Sequence, residues 1–180
     1  MKRLFFLLMV FAVLAGCASS GSFSEKVGAL QRTEKNFYSS GIVPVEIPKI
    51  AALQSALNKL KVSLSRQPNS AENSALSALI DAKTDLLEMQ LSFERGKLEM
   101  AKARFSEADC EPAGALVKAV IFFDNAVASA ANAKARLASF FKAYPAEARQ
   151  TGISLSDYSA TIDAVSENSA SLRDGVSGLC

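Results

Sequence analysis

The fold is decided by residues 69–106, NSAENSALSALIDAKTDLLEMQLSFERGKLEMAKARFS, the longest stretch of helical periodicity in the chain. Small and apolar residues recur in it at alternating intervals of four and three. They form a seam, a line of side chains along one face of a helix, as in bundles whose helices pack lengthwise. Large and small side chains alternate along it, which favours close contact between helices. The seam residues are Ala75, Leu79, Ala82, Leu86, Met89, Phe93, Gly96, Met100 and Ala103.

Local signals predict five helices in all. Ser22-Phe-Ser-Glu25 and Asn69-Ser-Ala-Glu72 have the spacing of capping boxes, and proline suits the first turn of a helix. We expect residues 42–48 and 145–152 to be irregular connections. The predicted helix starts are Ser22, Pro48, Asn69, Pro112 and Ser154.

The fourth helix has a regular seam, and the last helix has a less apolar one. Short connections favour antiparallel neighbours. The sequence therefore predicts an all-α fold, an antiparallel up-down bundle of four to five helices over residues 22–180. The fourth seam comprises Ala119, Phe123, Ala126, Ala130, Ala133, Leu137, Phe140 and Tyr144, and the last comprises Leu155, Tyr158, Ile162, Val165, Ser169, Leu172, Val176 and Leu179.

An array of helical hairpins is the alternative fold. Residues 93–108 and 137–148 resemble tetratricopeptide helices that end in Tyr-Pro. A repeat of about 34 residues is nevertheless absent, and the third and fourth helices are too long for that repeat. We therefore prefer the bundle.

The chain begins with the features of a secretory signal. Lys2 and Arg3 precede an apolar run from Leu4 to Leu14, and small residues precede Cys17. The run is shorter than the roughly 20 residues that a membrane-spanning helix needs. We expect residues 1–16 to be a signal peptide that is removed.

The residues at the end of this signal, Leu14-Ala15-Gly16-Cys17, resemble the lipobox of bacterial lipoproteins. In that family the cysteine becomes the acylated first residue of the mature chain. The resemblance implies a lipid on Cys17, a tether over residues 17–21 and attachment to a membrane of the cell envelope. Ala18, in place of aspartate, resembles lipoproteins that are sorted to the outer membrane, facing the periplasm, in cells that have one.

The two remaining cysteines, Cys110 and Cys180, make an even pair. In an exported chain such a pair favours a disulfide, with free or intermolecular thiols as the alternative. An up-down bundle also places the turn after the third helix at the same end as the last helix terminus. We therefore predict a Cys110–Cys180 bridge.

Charge and composition exclude several functions. The chain has 20 Lys and Arg and 18 Asp and Glu, and the signal peptide contains two of the bases and none of the acids. The predicted mature chain is thus neutral, which argues against a nucleic-acid partner. Histidine is absent and there is no glycine-rich phosphate loop. We therefore predict a chain that is not an enzyme and has no cofactor.

Three carboxylates, Asp81, Asp85 and Glu88, lie on one side of the third helix. They could bind calcium, but calcium usually takes six or more oxygen ligands. We interpret them as a solvated face beside Lys83 and predict no metal site. Ser169, which interrupts the last seam, is either a ligand contact or, as we prefer, a serine bonded to its own helix.

Two phenylalanine pairs, Phe122-Phe123 and Phe140-Phe141, offer the remaining candidate site. One ring of each pair points off the seam, where it either packs against another helix or lines an apolar groove for a ligand or partner.

The sequence therefore leaves two functional hypotheses. The first is a lipid-anchored envelope protein, a structural or adaptor module that binds an envelope protein. The alternative is a small-molecule or lipid-binding accessory lipoprotein, for example for a transporter. A cavity of about 300 Å³ or more would favour the second.

Overall fold

The computed structural model describes residues 22–37 and 42–180, and this part of the chain is all-helical. A 3₁₀ turn, Glu107–Cys110, lies between the third and fourth helices. The predicted signal peptide, Cys17 and the tether lie outside the described residues. The helices are α1 (Phe23–Lys35), α2 (Ile47–Ser65), α3 (Ala71–Lys102), α4 (Ala115–Ala143), α5 (Pro145–Thr151) and α6 (Leu155–Ser177).

The two longest helices, α3 and α4, run antiparallel. Arg136, near the end of α4, has its Nε 2.8 Å from Oδ2 of Asp85, in the first half of α3. At the other end, the ring centroids of Phe93 and Phe123 are 6.2 Å apart. Residues late in α4 therefore lie opposite earlier residues of α3, and residues early in α4 lie opposite later ones.

The other long helices also run antiparallel to the helices on which they pack. Asp163 and Arg173 of α6 pair with Lys134 and Asp124 of α4, at 2.8 and 3.2 Å. Gln54 of α2 donates to Glu88 of α3 at 2.8 Å. The up-down bundle predicted from the sequence is confirmed, and the bundle has two ends. At the disulfide end, α3 stops, α4 begins and α6 stops; α1 and α3 begin at the opposite end, which we call the N-terminal end.

The predicted seams form the core. Residues of the α4 seam from Ala119 to Phe140 are all buried, and so are Ala75 to Met89 of the α3 seam. On α6, only Ile162, Ser169 and Val176 are buried, and Leu179, which was expected on this seam, is 57% exposed. Alternating small and large side chains therefore fill the contact between α3 and α4, as the sequence predicts.

Gly96 lies where α3 comes closest to an aromatic ring of α4. A Cβ atom at this position would be 2.5 Å from the ring of Phe123, which is itself fully buried. Glycine lowers helix propensity by about 1 kcal/mol relative to alanine. The absence of a side chain here leaves room for the phenylalanine, which explains a glycine in the middle of a long helix.

Several helix ends differ from the prediction. Ser70 rather than Asn69 is the N-cap of α3, since its Oγ accepts from the Asn73 amide at 3.0 Å. Residues 145–151, expected to be irregular, form α5, which begins at Pro145 and ends before Gly152 in the left-handed conformation. Helix α4 begins at Ala115 instead of Pro112.

Helix α4 is also the most apolar element. Among the described residues, the segment Glu107–Ala143 is the one long and apolar enough to cross a membrane, and an 18-residue part of it has a mean hydropathy of 1.4. A core helix meets the same criteria. The seam of α4 lies between α3 and α6, as expected of a core helix.

The close contact at Gly96 can be tested with a matched pair of glycine substitutions. Gly96→Ala should lower the free energy of unfolding by about 1 to 2 kcal/mol, because overpacking against Phe123 outweighs the gain in helix propensity. Gly175→Ala, at an exposed α6 position with nothing within 4 Å of the added Cβ, should raise it by about 0.5 kcal/mol. Urea unfolding of both variants measures the two effects. A stabilised Gly96→Ala protein would contradict this account of the α3–α4 contact.

Candidate functional site

The predicted disulfide joins Cys110 and Cys180, whose Cα atoms are 5.5 Å apart. It ties the turn between α3 and α4 to the segment that follows α6. Since 70 residues separate the two cysteines in sequence, the bridge joins elements that local contacts alone would not hold together.

The four candidate phenylalanines do not line one groove. Phe123 is buried with Leu116 and Val176 at the disulfide end, whereas Phe140 is buried in a cluster with α1 and α2. Seventeen residues of helix, about 25 Å, separate them. Phe141 packs edge-on against Phe140, with ring centroids 5.6 Å apart, and the half-buried Phe122 lies under the Arg95 guanidinium, at 5.9 Å.

The carboxylates Asp81 and Asp85 are not a freely solvated face. Both are half-buried, and Asp81 forms an ion pair with Lys61 of α2. The Arg136 guanidinium of α4 reaches both carboxylates, although Oδ2 of Asp85 receives no well-aligned hydrogen bond. Burial raises the pKa of Asp85 above its usual value, and Arg136 opposes this shift. Within the described residues no group of three or more acidic or cysteine side chains is arranged to bind a metal.

Ser169 bonds to its own helix. Its hydroxyl donates to the carbonyl of Val165 at 2.7 Å. Of the two interpretations of this seam serine, the structure supports the bond to its own helix.

Sequence analysis missed a buried ion pair between α1 and α3. Nζ of Lys83 lies 2.7 Å from Oε1 of Glu34, and the two side chains are 6% and 8% exposed. Lys83 also donates to the Tyr158 hydroxyl of α6 at 3.2 Å. The interaction thus connects three helices. In the sequence, Glu34 lies in the first predicted helix and gives no sign of a partner, and Lys83 lies beside carboxylates that were interpreted as a solvated face.

The interior beside this ion pair is nearly filled. The cavity there, which Glu34, Val43 and Lys83 help to line, has a volume of about 10 Å³, about the space of one water molecule. A second concavity, of about 550 Å³, is open to solvent, and all of its lining residues lie on α2 between Ala51 and Val62. It is therefore a feature of one helix face and not a cavity between helices.

The segment between α3 and α4, residues 103–114, forms an ordered turn that we call the α3–α4 loop. Oδ2 of Asp109 accepts from the amides of Ser106 and Arg104, each at 3.0 Å, and from the Ser106 hydroxyl at 3.2 Å. These hydrogen bonds, that of the Ser106 amide above all, lower the pKa of Asp109 below its usual 3.8. The stabilisation they give is present above that value and is lost as the pH falls through the lowered pKa.

Gly114, the N-cap of α4, closes this loop. A Cβ atom here would collide with the backbone of Ala108 and Asp109. The amide of Gly114 donates to the carbonyl of Glu111 at 2.7 Å. The loop is thus fixed by Asp109, by Gly114 and by the disulfide at Cys110.

Phe105, near the start of this loop, has an unusual backbone conformation. Its φ of 57° is in the left-handed region, where it is the one residue other than glycine among those described. Its side chain is 67% exposed, the largest exposed fraction among the exposed large apolar side chains. A left-handed backbone is unfavourable for a residue with a side chain. Exposure to water is also unfavourable for the apolar ring of a phenylalanine.

Other exposed apolar side chains lie at the same end of the bundle. Leu98 is in the last two turns of α3, Ile121 is in the first two turns of α4, and Leu179 precedes Cys180; they are 47%, 51% and 57% exposed. Together with Phe105 they make up most of the exposed large apolar residues among those described. The disulfide end is therefore the candidate functional site.

The ion pair between Glu34 and Lys83 can be tested by single and double substitution. Lys83→Met should lower the free energy of unfolding by about 3 kcal/mol, because Glu34 is left buried without its cation. Adding Glu34→Leu should restore most of this loss. Lys134→Ala, which breaks an exposed pair with Asp163, is the control and should change stability by less than about 1 kcal/mol. Equal effects of Lys83→Met and Lys134→Ala in urea unfolding would refute the structural role of the buried pair.

The backbone conformation of Phe105 predicts different changes in the free energy of unfolding for two substitutions. Phe105→Gly should leave the free energy of unfolding within about 1 kcal/mol of that of the unchanged protein, since glycine adopts positive φ without strain. Phe105→Val should be less stable than Phe105→Gly by about 1 to 2 kcal/mol, because a β-branched side chain is poorly tolerated there. Thermal unfolding of the pair decides between them. A valine variant as stable as the glycine variant would mean that residue 105 is not left-handed in solution.

Comparison of the chain with protein-family models, with curated proteins and with solved structures gave no match. The function of this chain must therefore be inferred from its own residues and their geometry. Two features carry it: the lipobox-like sequence before Cys17 and the exposed apolar residues at the disulfide end.

Proposed function

We propose that this chain is a non-enzymatic lipoprotein of a bacterial cell envelope, held on a membrane by a lipid on Cys17. Its helical bundle acts as a structural or adaptor module for an envelope protein. The exposed Phe105 on an ordered loop at the disulfide end is the observation that carries the adaptor role, and the sequence Leu14-Ala15-Gly16-Cys17 is the one that carries the lipid anchor. Aromatic residues are enriched at protein–protein interfaces relative to the rest of the protein surface.

The position of α1 supports this arrangement. Lys26 of α1 donates to Asn73, near the start of α3, at 2.9 Å, so that α1 begins at the N-terminal end of the bundle. Cys17 precedes α1 by only a few residues. Helix α3 has 32 residues, about 48 Å, so the disulfide end lies about that far from the start of α1. The α3–α4 loop therefore lies at the end of the bundle opposite the start of α1, the helix that follows Cys17 in the sequence.

The filled seams favour an adaptor over a ligand carrier. Ala82, Ala126 and Ala133 are fully buried where helices meet, and the cavity beside Lys83 has about 10 Å³. A drug-sized ligand occupies about 300 Å³ or more. The buried seams leave no space of that size at these contacts.

Metabolic labelling with palmitate tests the anchor. The full chain should take up label and sediment with membranes, whereas Cys17→Ser should lose both properties. The double variant Cys110→Ser/Cys180→Ser, which removes the other two cysteines, is the matched control and should keep the label. Label that persists in Cys17→Ser, or an unlabelled full chain in cells that acylate other lipoproteins, would overturn the proposal.

A further inference from the structure

We propose that the α3–α4 loop is a docking site for a protein whose surface offers an apolar pocket surrounded by basic side chains, and that Phe105 is the side chain that enters this pocket. The inference deepens the proposed function, since it assumes that the partner is an envelope protein. It names the chemistry of that partner and the residues that recognise it.

The apolar part of the site is Phe105 on the α3–α4 loop, and Leu98, Ile121 and Leu179 are exposed at the same end of the bundle. Aromatic side chains that fill a pocket dominate the binding energy of many interfaces. Leu179 lies next to the disulfide that fixes the loop, so a second exposed apolar side chain is held close to the same turn.

The loop holds Phe105 in place before binding. The Asp109 carboxylate accepts hydrogen bonds from the residues on both sides of Phe105, Arg104 and Ser106. Cys110, the residue after Asp109, is tied to Cys180. A loop whose backbone is already fixed loses less conformational entropy on binding than a mobile one.

The charges around Phe105 define the partner. Residues 103–114 contain one base, Arg104, and three acids, Glu107, Asp109 and Glu111. Asp109 is directed into the loop, whereas Glu107 and Glu111 are exposed. Among the described residues neither Glu107 nor Glu111 forms an ion pair, and Arg104 is exposed as well, so the exposed charges of the loop are two acids and one base. This excess of acid complements a basic rim. The same carboxylates disfavour an anionic lipid surface.

In vivo photocrosslinking tests the site with the full-length chain. The photoreactive p-benzoylphenylalanine replaces Phe105 in one strain and Val62 in a control strain. Val62 is also apolar and 53% exposed, but it lies on α2. Illumination should give one protein adduct from position 105 and none of the same mass from position 62. Mass spectrometry of the adduct then identifies the partner and the contacted peptide.

Charge reversal adds the decisive readout. With the photoreactive residue at 105, Glu107→Lys/Glu111→Lys should reduce the adduct by about tenfold, because two rim charges become repulsive. The contacted peptide should contain apolar residues with Lys or Arg beside them. An adduct unaffected by charge reversal, an adduct to a second copy of this chain, an adduct to lipid or the absence of any adduct would each overturn the proposal.

The Kd of the identified partner for purified protein measures how much Phe105 contributes to binding. Phe105→Gly, which keeps the loop conformation, should weaken the Kd by about thirtyfold, as for a hot-spot residue. Phe105→Leu should weaken it less, because an apolar side chain remains. Equal affinities of the original protein and Phe105→Gly would refute the role of Phe105. Because binding is measured without a lipid, failure of the docking site and failure of the Cys17 anchor are distinguished.

Discussion

The contact between α3 and α4 is the interaction on which the rest of the structure depends. Small residues on both seams, with Gly96 opposite Phe123, let the two helices approach closely over most of their length. Such contact gains dispersion energy over many atom pairs, each of them weak. It also fixes the register between the helices, and this register brings Arg136 to Asp81 and Asp85. The α6 helix then packs on α4, while α2 packs on α3, so the position of every other long helix follows from this pair.

Polar interactions specify the bundle where the seams do not. A shift of the α4 seam by one heptad would take Phe123 away from the space beside Gly96 and would also separate charged partners on neighbouring helices. Ion pairs between α4 and α6 and between α2 and α3 distinguish the observed register from such alternatives. The buried pair of Glu34 and Lys83 does the same for α1, which packs on the bundle through a short helix. The net energy of a buried pair is small, but an incorrect docking of α1 would leave both charges buried and unpaired.

Features of the fold that depend on a regular pattern within one segment were mostly predictable from the sequence, and most features that depend on contacts between distant segments were not. The seams of α3 and α4 were predictable because a regular spacing over many turns has one solution, burial of that face. The Cys110–Cys180 bridge followed from parity and topology. Helix α5 was missed although Pro145 and Gly152 mark its ends, because a seven-residue helix has too few turns to show a period. The partners of Glu34 and Lys83 come from different helices, so no local pattern predicts their pairing. The conformation of Phe105 depends on hydrogen bonds to Asp109 and on a distant disulfide, which sequence spacing does not reveal.

Phe105 combines two properties that folding alone does not favour. A left-handed backbone costs about 1 to 2 kcal/mol for a residue with a side chain, and glycine would avoid that cost. An exposed phenylalanine gains little from burial, since 67% of its side chain remains in water. The surrounding loop nevertheless holds this conformation through the Asp109 carboxylate and a covalent bridge. Strain that is maintained by several independent constraints is characteristic of functional sites. The stability of the bundle therefore supports a loop that is less stable than it could be, an arrangement consistent with the proposed binding role of Phe105.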